Sequence, residues 1–282
     1  MKIEEILLKG KKILIDNKIE DAFLISRKLL ENTLEMNRND LSINSKKEID
    51  IEQEKEYFGK INQILEGKPL QYITKKQEFM KLDFYVDENV LIPQPDTEIL
   101  VEKVLELSNN RNSIEILDIC TGSGCIGISL AKYLEKAKIT LSDISNSALK
   151  IAKMNAEKNR VEAKINFINS DMYKNIENKF DIIVSNPPYI KTKIIETLDK
   201  QVQNEPKLAL DGGEDGLEFY RILINESPKY LKQNGILMFE IGYDQKNEIE
   251  QLVKENKKYD NVQCIKDLSQ NDRVMVITLK GE

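Results

Sequence analysis

The 282-residue sequence contains no histidine. That excludes triads built on an imidazole and every histidine general base, and with them many hydrolase mechanisms. Cysteine is scarce: Cys120, Cys125 and Cys264 form an odd set without metal-ligand spacing. Neither a disulfide framework nor a zinc site is supported, and no metal is expected. No apolar run approaches the roughly 18 residues of a membrane-spanning helix. Met1-Lys2-Ile3-Glu4-Glu5 continues directly into an amphipathic pattern, so no signal peptide is expected and the cytoplasm is the expected location. Excess positive charge is lacking too: 42 Lys and Arg against 48 Asp and Glu leave a net −6. A dedicated nucleic-acid binder shows a basic stripe instead. The cluster Lys9-Gly10-Lys11-Lys12 is too short to be one and reads as a solvated helix face.

What is present suits one large or two modest domains with ample material for a core. Residues 1 to about 70 read as helical. Ile19, Ala22, Phe23, Ser26, Leu29, Leu30 and Thr33 share one face, as do Tyr57, Phe58, Ile61, Ile64 and Leu65, and Gly67 with Pro69 marks a stop. Residues 37–50 are polar and turn-rich. From 79 the period changes: Phe79, Leu82, Phe84 and Val86 lead to Asp87-Glu88-Asn89 and then Val90-Leu91-Ile92, which predicts a β-hairpin turning at 87–89. Proline with an Asp or Thr cap at 93–98 then opens a helix carrying Leu100, Val101, Val104 and Leu105.

From 114 onward strands and helices alternate. Strands are predicted at 114–119, 138–141, 164–168, 181–184, 236–241, 262–266 and 273–279, with helices at 126–134, 145–159, 216–231 and 245–255. This order calls for an α/β, doubly wound, mostly parallel sheet, which binds ligands at the carboxyl ends of its strands. Three motifs fall there.

The first is Ser185-Asn186-Pro187-Pro188-Tyr189-Ile190, closing the apolar strand 180–184. Two prolines remove two backbone donors and hold φ near −65°, so the neighbouring carbonyls are fixed and no helix follows. An amide, rigid acceptors and a Tyr ring suit a planar N–H₂ group. The second is the Gly-rich turn Asp118-Ile119-Cys120-Thr121-Gly122-Ser123-Gly124-Cys125-Ile126-Gly127. Gly122, Gly124 and Gly127 match the dinucleotide G-x-G-x-x-G pattern, and the third feature, Asp143, lies where a ribose-binding acid belongs. NAD and S-adenosylmethionine both use such a pair, so both cofactors stand at this point.

Longer strings carry a resemblance. They are residues 67–73 (Gly-Lys-Pro-Leu-Gln-Tyr-Ile), 91–98 (Leu-Ile-Pro-Gln-Pro-Asp-Thr-Glu), 117–127, 143–145 and 185–190. Further on come Glu205-Pro206, Ala209-Leu210, 211–217 (Asp-Gly-Gly-Glu-Asp-Gly-Leu), Phe219-Tyr220-Arg221, Phe239-Glu240-Ile241-Gly242 and Asp272-Arg273-Val274. Together they resemble the HemK/PrmC-type glutamine methyltransferases that act on peptide chain release factors. The Asn-Pro-Pro-Tyr string alone is weak, because adenine-amino methyltransferases share it. Two departures stand out: Gln94 replaces the family's usual Arg, and Ser269-Gln270-Asn271 lacks the usual glycine.

The resemblance implies a Rossmann-like class I S-adenosylmethionine-dependent methyltransferase domain at 96–282, a β-hairpin linker at 76–95 and a helical, release-factor-binding domain at 1–75. It implies S-adenosyl-L-methionine as cofactor, held by Cys120, Thr121, Gly122, Ser123, Gly124, Asp143, Asp171, Met172 and Asn186. The substrate clamp is Asn186, Pro187, Pro188 and Tyr189, with Asn186, Pro187 and Tyr189 as the catalytic set. The acceptor would be the glutamine amide nitrogen of the Gly-Gly-Gln motif of release factors. The Asn186 oxygen and Pro187 carbonyl would take its two hydrogens, under the Tyr189 ring. The enzyme is expected to be a monomer that binds neither nucleic acid nor membrane. Alternatives are the glutamine methyltransferase of a large-subunit ribosomal protein and an adenine-amino methyltransferase of DNA or RNA.

Overall fold

The computed structural model describes residues 1–108 and 113–281. It divides into two units, one formed by Met1–Lys76 with Asp199–Asn204, the other by Gln77–Leu198 with Glu205–Glu282.

The smaller unit is helical: α1 (Ile3–Asp16), α2 (Ala22–Leu34), α3 (Arg38–Ile43), α4 (Ile51–Leu65) and α5 (Leu70–Thr74). Asn37 and Asp50 start α3 and α4 by accepting backbone N–H groups of the first turn. Leu29, Leu30, Tyr57, Ile61 and Ile64 are buried together, with the Tyr57 hydroxyl 2.7 Å from Ser26 Oγ. Phe23, expected on the buried face, is exposed instead and lies under the Lys11 ammonium. The turn-rich stretch contains α3, which the polar composition concealed.

The larger unit opens with β1 (Gln77–Phe79) and β2 (Leu82–Phe84), an antiparallel pair. The hairpin therefore turns at Met80-Lys81, both at positive φ, and not at 87–89. Asp87–Asn89 is indeed a turn, but no strand follows it: the N–H of Ile92 is engaged by Glu205 Oε2 at 2.8 Å. The tip at Met80 is pinned on both sides, its N–H by Glu98 and its carbonyl by the Tyr133 hydroxyl.

After the 3₁₀ turn Pro95–Thr97 come α6 (Glu98–Ser108), β3 (Ile114–Ile119), α7 (Cys125–Tyr133), β4 (Ala137–Asp143), α8 (Asn146–Asn159), β5 (Ile165–Asn169) and β6 (Phe180–Ser185). Three short helices follow, α9 (Thr192–Ile195), α10 (Lys200–Gln203), which belongs to the smaller unit, and α11 (Lys207–Leu210), then α12 (Glu218–Tyr230), β7 (Leu231–Glu240), α13 (Lys246–Asn256), β8 (Tyr259–Lys266) and β9 (Asp272–Leu279). Seven strands form one sheet in the order β5-β4-β3-β6-β7-β9-β8. The first five are parallel, and β9 pairs antiparallel with both β7 and β8. The mostly parallel, doubly wound expectation holds.

Strand side chains alternate between two cores. Ile114, Ile116, Ile182 and Val184 pack with α6, α7 and α8, while Leu117, Ile119 and Ile183 pack with α12 and α13. Each fully buried Leu or Ile contributes about 1.5–3 kcal/mol relative to exposure. Chain order reverses between β3 and β6, so a crevice opens at their carboxyl ends.

Candidate active site

At the end of β3 the chain enters the turn through Cys120, whose φ of 59° is left-handed without being glycine. Met172, after β5, is similar at 49°. Such backbone costs about 1–2 kcal/mol per residue, and strain of this kind collects at functional sites. The two sulfurs lie 3.8 Å apart. Gly122 also has positive φ, at 54°, and an added Cβ there would meet nothing, so the position is open above the turn. Its N–H donates to Asp143 Oδ2 at 2.9 Å, while Asp143 Oδ1 accepts from Ser145 N–H at 2.8 Å. Burial raises the Asp143 carboxyl above its ordinary value, against these donors. Each carboxylate oxygen has a second lone pair for a ligand hydroxyl.

Asp118 shapes the same turn from below. Its Oδ2 accepts from Thr121 Oγ1 at 2.6 Å and from Gly127 N–H at 3.0 Å. A carboxylate thus already occupies an N–H of the first turn of α7, the place a pyrophosphate takes in dinucleotide folds. The G-x-G-x-x-G pattern thus has one fewer free helix N–H for an anion. Desolvation pushes Asp118 up to about 7, and its buried Oδ1 has no partner among the described residues.

Asn186 follows β6 and is half-buried. Its Nδ2 donates to Thr97 Oγ1 at 3.1 Å, and that hydroxyl donates to Glu240 Oε2 at 2.5 Å. The Tyr189 hydroxyl donates to Glu240 Oε1 at 3.1 Å. Glu240 is buried, which raises its carboxyl above the usual range; the Thr97 hydrogen bond, Arg273 and the Tyr189 hydrogen bond oppose that.

A cavity of about 310 Å³ joins these parts, at the lower end of the range for small-molecule sites. Of the predicted residues, Cys120, Thr121, Gly122, Ser123, Asp143, Asp171, Met172, Asn186 and Pro188 line it. Gly124, Pro187 and Tyr189 are not among the lining residues. Gly124 sits below the turn as the N-cap of α7, Pro187 packs inward, and the Tyr189 ring is drawn toward Glu240. Asp171 is partly exposed and paired with Lys174. Gln94 lines the cavity with its Nε2 on the Ile92 carbonyl.

Several supporting residues escaped the sequence reading. Buried Asn155 accepts from Tyr85 N–H at 2.6 Å and donates to the carbonyls of Tyr85 and Ser123, tying the segment after β2 to the Gly-rich turn. Gln245 donates to the carbonyls of Tyr189 and Gly216 and accepts from Gly242 N–H and the Tyr220 hydroxyl. It fastens four of the strings together, 185–190, 211–217, 219–221 and 239–242. Glu205, named among the strings but given no role there, clips Ile92, and burial raises its carboxyl to about 7. A buried polar side chain must find partners; that rule flags such residues but does not say which partners they find.

The donor set fits a nucleoside cofactor without phosphate: an acid for ribose hydroxyls, an open Gly turn, and apolar walls. Comparison with known proteins agrees. The family model described as "Methyltransferase small domain" matches residues 94–268, and "PrmC N-terminal domain" matches residues 5–74. A solved methyltransferase from Pyrococcus furiosus shares the fold with a TM-score of 0.55 at 22% identity, covering 79% of this chain and 99% of that one. The larger unit is a class I methyltransferase domain. The "Release factor glutamine methyltransferase" of Clostridium acetobutylicum is 42% identical over 285 residues, 100% of this chain and 99% of its own length. The "Ribosomal protein uL3 glutamine methyltransferase" of Francisella tularensis is also 42% identical, but over 181 residues, 63% of this chain and 58% of its own. The chain belongs to the release factor glutamine methyltransferase family.

Proposed function

We propose that this enzyme transfers a methyl group from S-adenosylmethionine to the side-chain amide nitrogen of the glutamine in the Gly-Gly-Gln motif of peptide chain release factors, supporting translation termination. One observation carries the chemistry: a single cavity joins the Gly122–Asp143 pair to Asn186, whose Oδ1 has no partner among the described residues. Asp143 would accept from the ribose hydroxyls, Cys120 to Ser123 would line the methionine end, and Asp171 and Met172 would flank the adenine. When bound, the cofactor supplies an already activated sulfonium methyl group.

An amide nitrogen is a poor nucleophile because its lone pair is delocalised, so the protein's task is alignment. Asn186 Oδ1 accepts one amide hydrogen, and the Pro187 carbonyl, held between the Pro187 and Pro188 rings, accepts the other. Both acceptors stabilise positive charge developing on nitrogen. Alignment of this kind lowers a barrier by roughly 7–11 kcal/mol. No strong base is required first, which accords with a chain lacking histidine; as the methyl group leaves its sulfur for the nitrogen, the nitrogen would shed one proton to water, giving a neutral secondary amide. Tyr189 serves as a strut on Glu240, with its ring closing the clamp from behind. The helical unit receives the release factor, and the enzyme works as a cytoplasmic monomer on protein, without nucleic acid. Full-length similarity to a release factor enzyme, against partial similarity to the ribosomal-protein enzyme, favours this substrate.

The test is transfer of labelled methyl to a release factor and to its variant with the Gly-Gly-Gln glutamine replaced. Label on the normal factor alone, abolished by Asn186→Ala while cofactor still binds, is the expected result. Label on neither factor, or full turnover by Asn186→Ala, refutes the reading.

A further inference from the structure

Thr97 and Glu240 touch neither the Gly-rich turn nor Asp143 by any hydrogen bond, yet both converge on Asn186. The route is short. Glu240 Oε2 lies 2.5 Å from Thr97 Oγ1, and Thr97 Oγ1 lies 3.1 Å from the Asn186 amide. A carboxylate can only accept, and a hydroxyl has one proton. Once that proton is committed to Glu240, Thr97 presents only lone pairs to its other neighbour. The Asn186 atom facing it must then be the donor Nδ2, which turns Oδ1 toward the cavity.

We propose that Glu240, acting through the Thr97 hydroxyl, sets the direction of the Asn186 amide, making Thr97 and Glu240 positioning residues for the acceptor glutamine. The inference rests on the reading of Asn186 as an acceptor. Reversed by half a turn, Asn186 would confront the substrate N–H₂ with its own N–H₂ and would set lone pair against lone pair at Thr97. A free asparagine has no preference between the two orientations; this one is coupled to a buried carboxylate. The same carboxylate holds the other end of the clamp, because Glu240 Oε1 accepts from the Tyr189 hydroxyl. Arg273, bridged to Asp267 at 3.0 Å and Asp96 at 3.2 Å, supplies positive charge on this side. Thr97 is itself buried, so no bulk water competes for its proton.

Thr97→Val keeps the shape and removes the hydroxyl. Misplacing a reacting group costs on the order of 10²-fold in rate, so its kcat should fall roughly ten- to a hundred-fold while the cofactor Kd by calorimetry stays within about threefold. Thr97→Ser restores the hydroxyl and should recover most of the lost kcat. A purely structural role would instead move cofactor binding and thermal stability together with turnover. If Thr97→Val turns over normally while Asn186→Ala is inactive, the positioning inference is overturned and the reading of Asn186 stands. If Asn186→Ala is also active, that reading falls first. Equal loss in Thr97→Ser and Thr97→Val would likewise overturn the inference. Should Thr97→Val fail to fold, Thr97→Ala set against Thr97→Ser carries the same comparison.

Discussion

Asp118→Asn isolates one buried carboxyl and makes its cost measurable. Asp118 is fully buried on the α7 side of β3, and burial raises its carboxyl from 3.8 to about 7. Thr121 and Gly127 donate to Oδ2 and oppose the rise, while nearby Asp143 adds to it. A folded-state pKa above the unfolded value means that the native state holds the proton more tightly. This contribution to stability is therefore fully present below about 3.8, is lost as pH rises, and is gone above about 7. At about 1.36 kcal/mol per pH unit, the two units between pH 5 and 7 amount to roughly 2–3 kcal/mol. Asparagine keeps an oxygen for Thr121 and Gly127 but does not titrate. Urea unfolding of both proteins at pH 5 and pH 8 should show the wild type losing about 2–3 kcal/mol more than the variant as pH rises. Other buried carboxyls, including Glu205 and Glu240, cancel in the difference. Parallel pH dependence of the two proteins would refute the assignment.

Two further outcomes follow from the geometry of the turn. Gly127→Ala would place Cβ 2.0 Å from Leu141 Cδ2 and 3.1 Å from Asp118 Oδ2, so overpacking of about 1–3 kcal/mol should lower the urea midpoint; an unchanged midpoint would show that α7 and β4 are less tightly apposed. Asp143→Ala removes the acceptor for Gly122 and Ser145 together with the proposed ribose acid. At roughly 1.5–3 kcal/mol for a hydrogen bond to a charged group, cofactor affinity should fall about ten- to a hundred-fold by calorimetry, and an unaltered Kd would remove Asp143 from the site.

Much of the site was legible because it depends on local chemistry. The short, mostly apolar runs over 114–119 and 180–184 specify buried strands wherever they pair, and the Gly turn and Asn-Pro-Pro string limit the backbone through sterics that need no partner. Alternation of strands and helices then placed both motifs, with Asp143, at one edge of a sheet. The hairpin was misplaced for the complementary reason. Asp87-Glu88-Asn89 has turn chemistry and does turn, whereas Met80-Lys81 carries none of the usual signals and is held in left-handed backbone by Glu98 and Tyr133. The glycine missing before Asp272 is a similar case: Gln270 takes φ 67° there without glycine's freedom.

The sequence by itself determined the main strands and helices of the larger unit and the sheet class, and it singled out the candidate chemistry-bearing residues, since short-range sterics and hydrophobic pattern act before any contact forms. Only the tertiary structure decided that Asp118 engages the Gly127 N–H of α7, that Tyr189 braces Glu240 outside the cavity wall, and that Asn186 meets a hydroxyl 89 residues away, itself bonded to a carboxylate 143 residues further along. Hydrogen-bond direction depends on which proton is already committed elsewhere, and in this site that depends on residues brought together by folding.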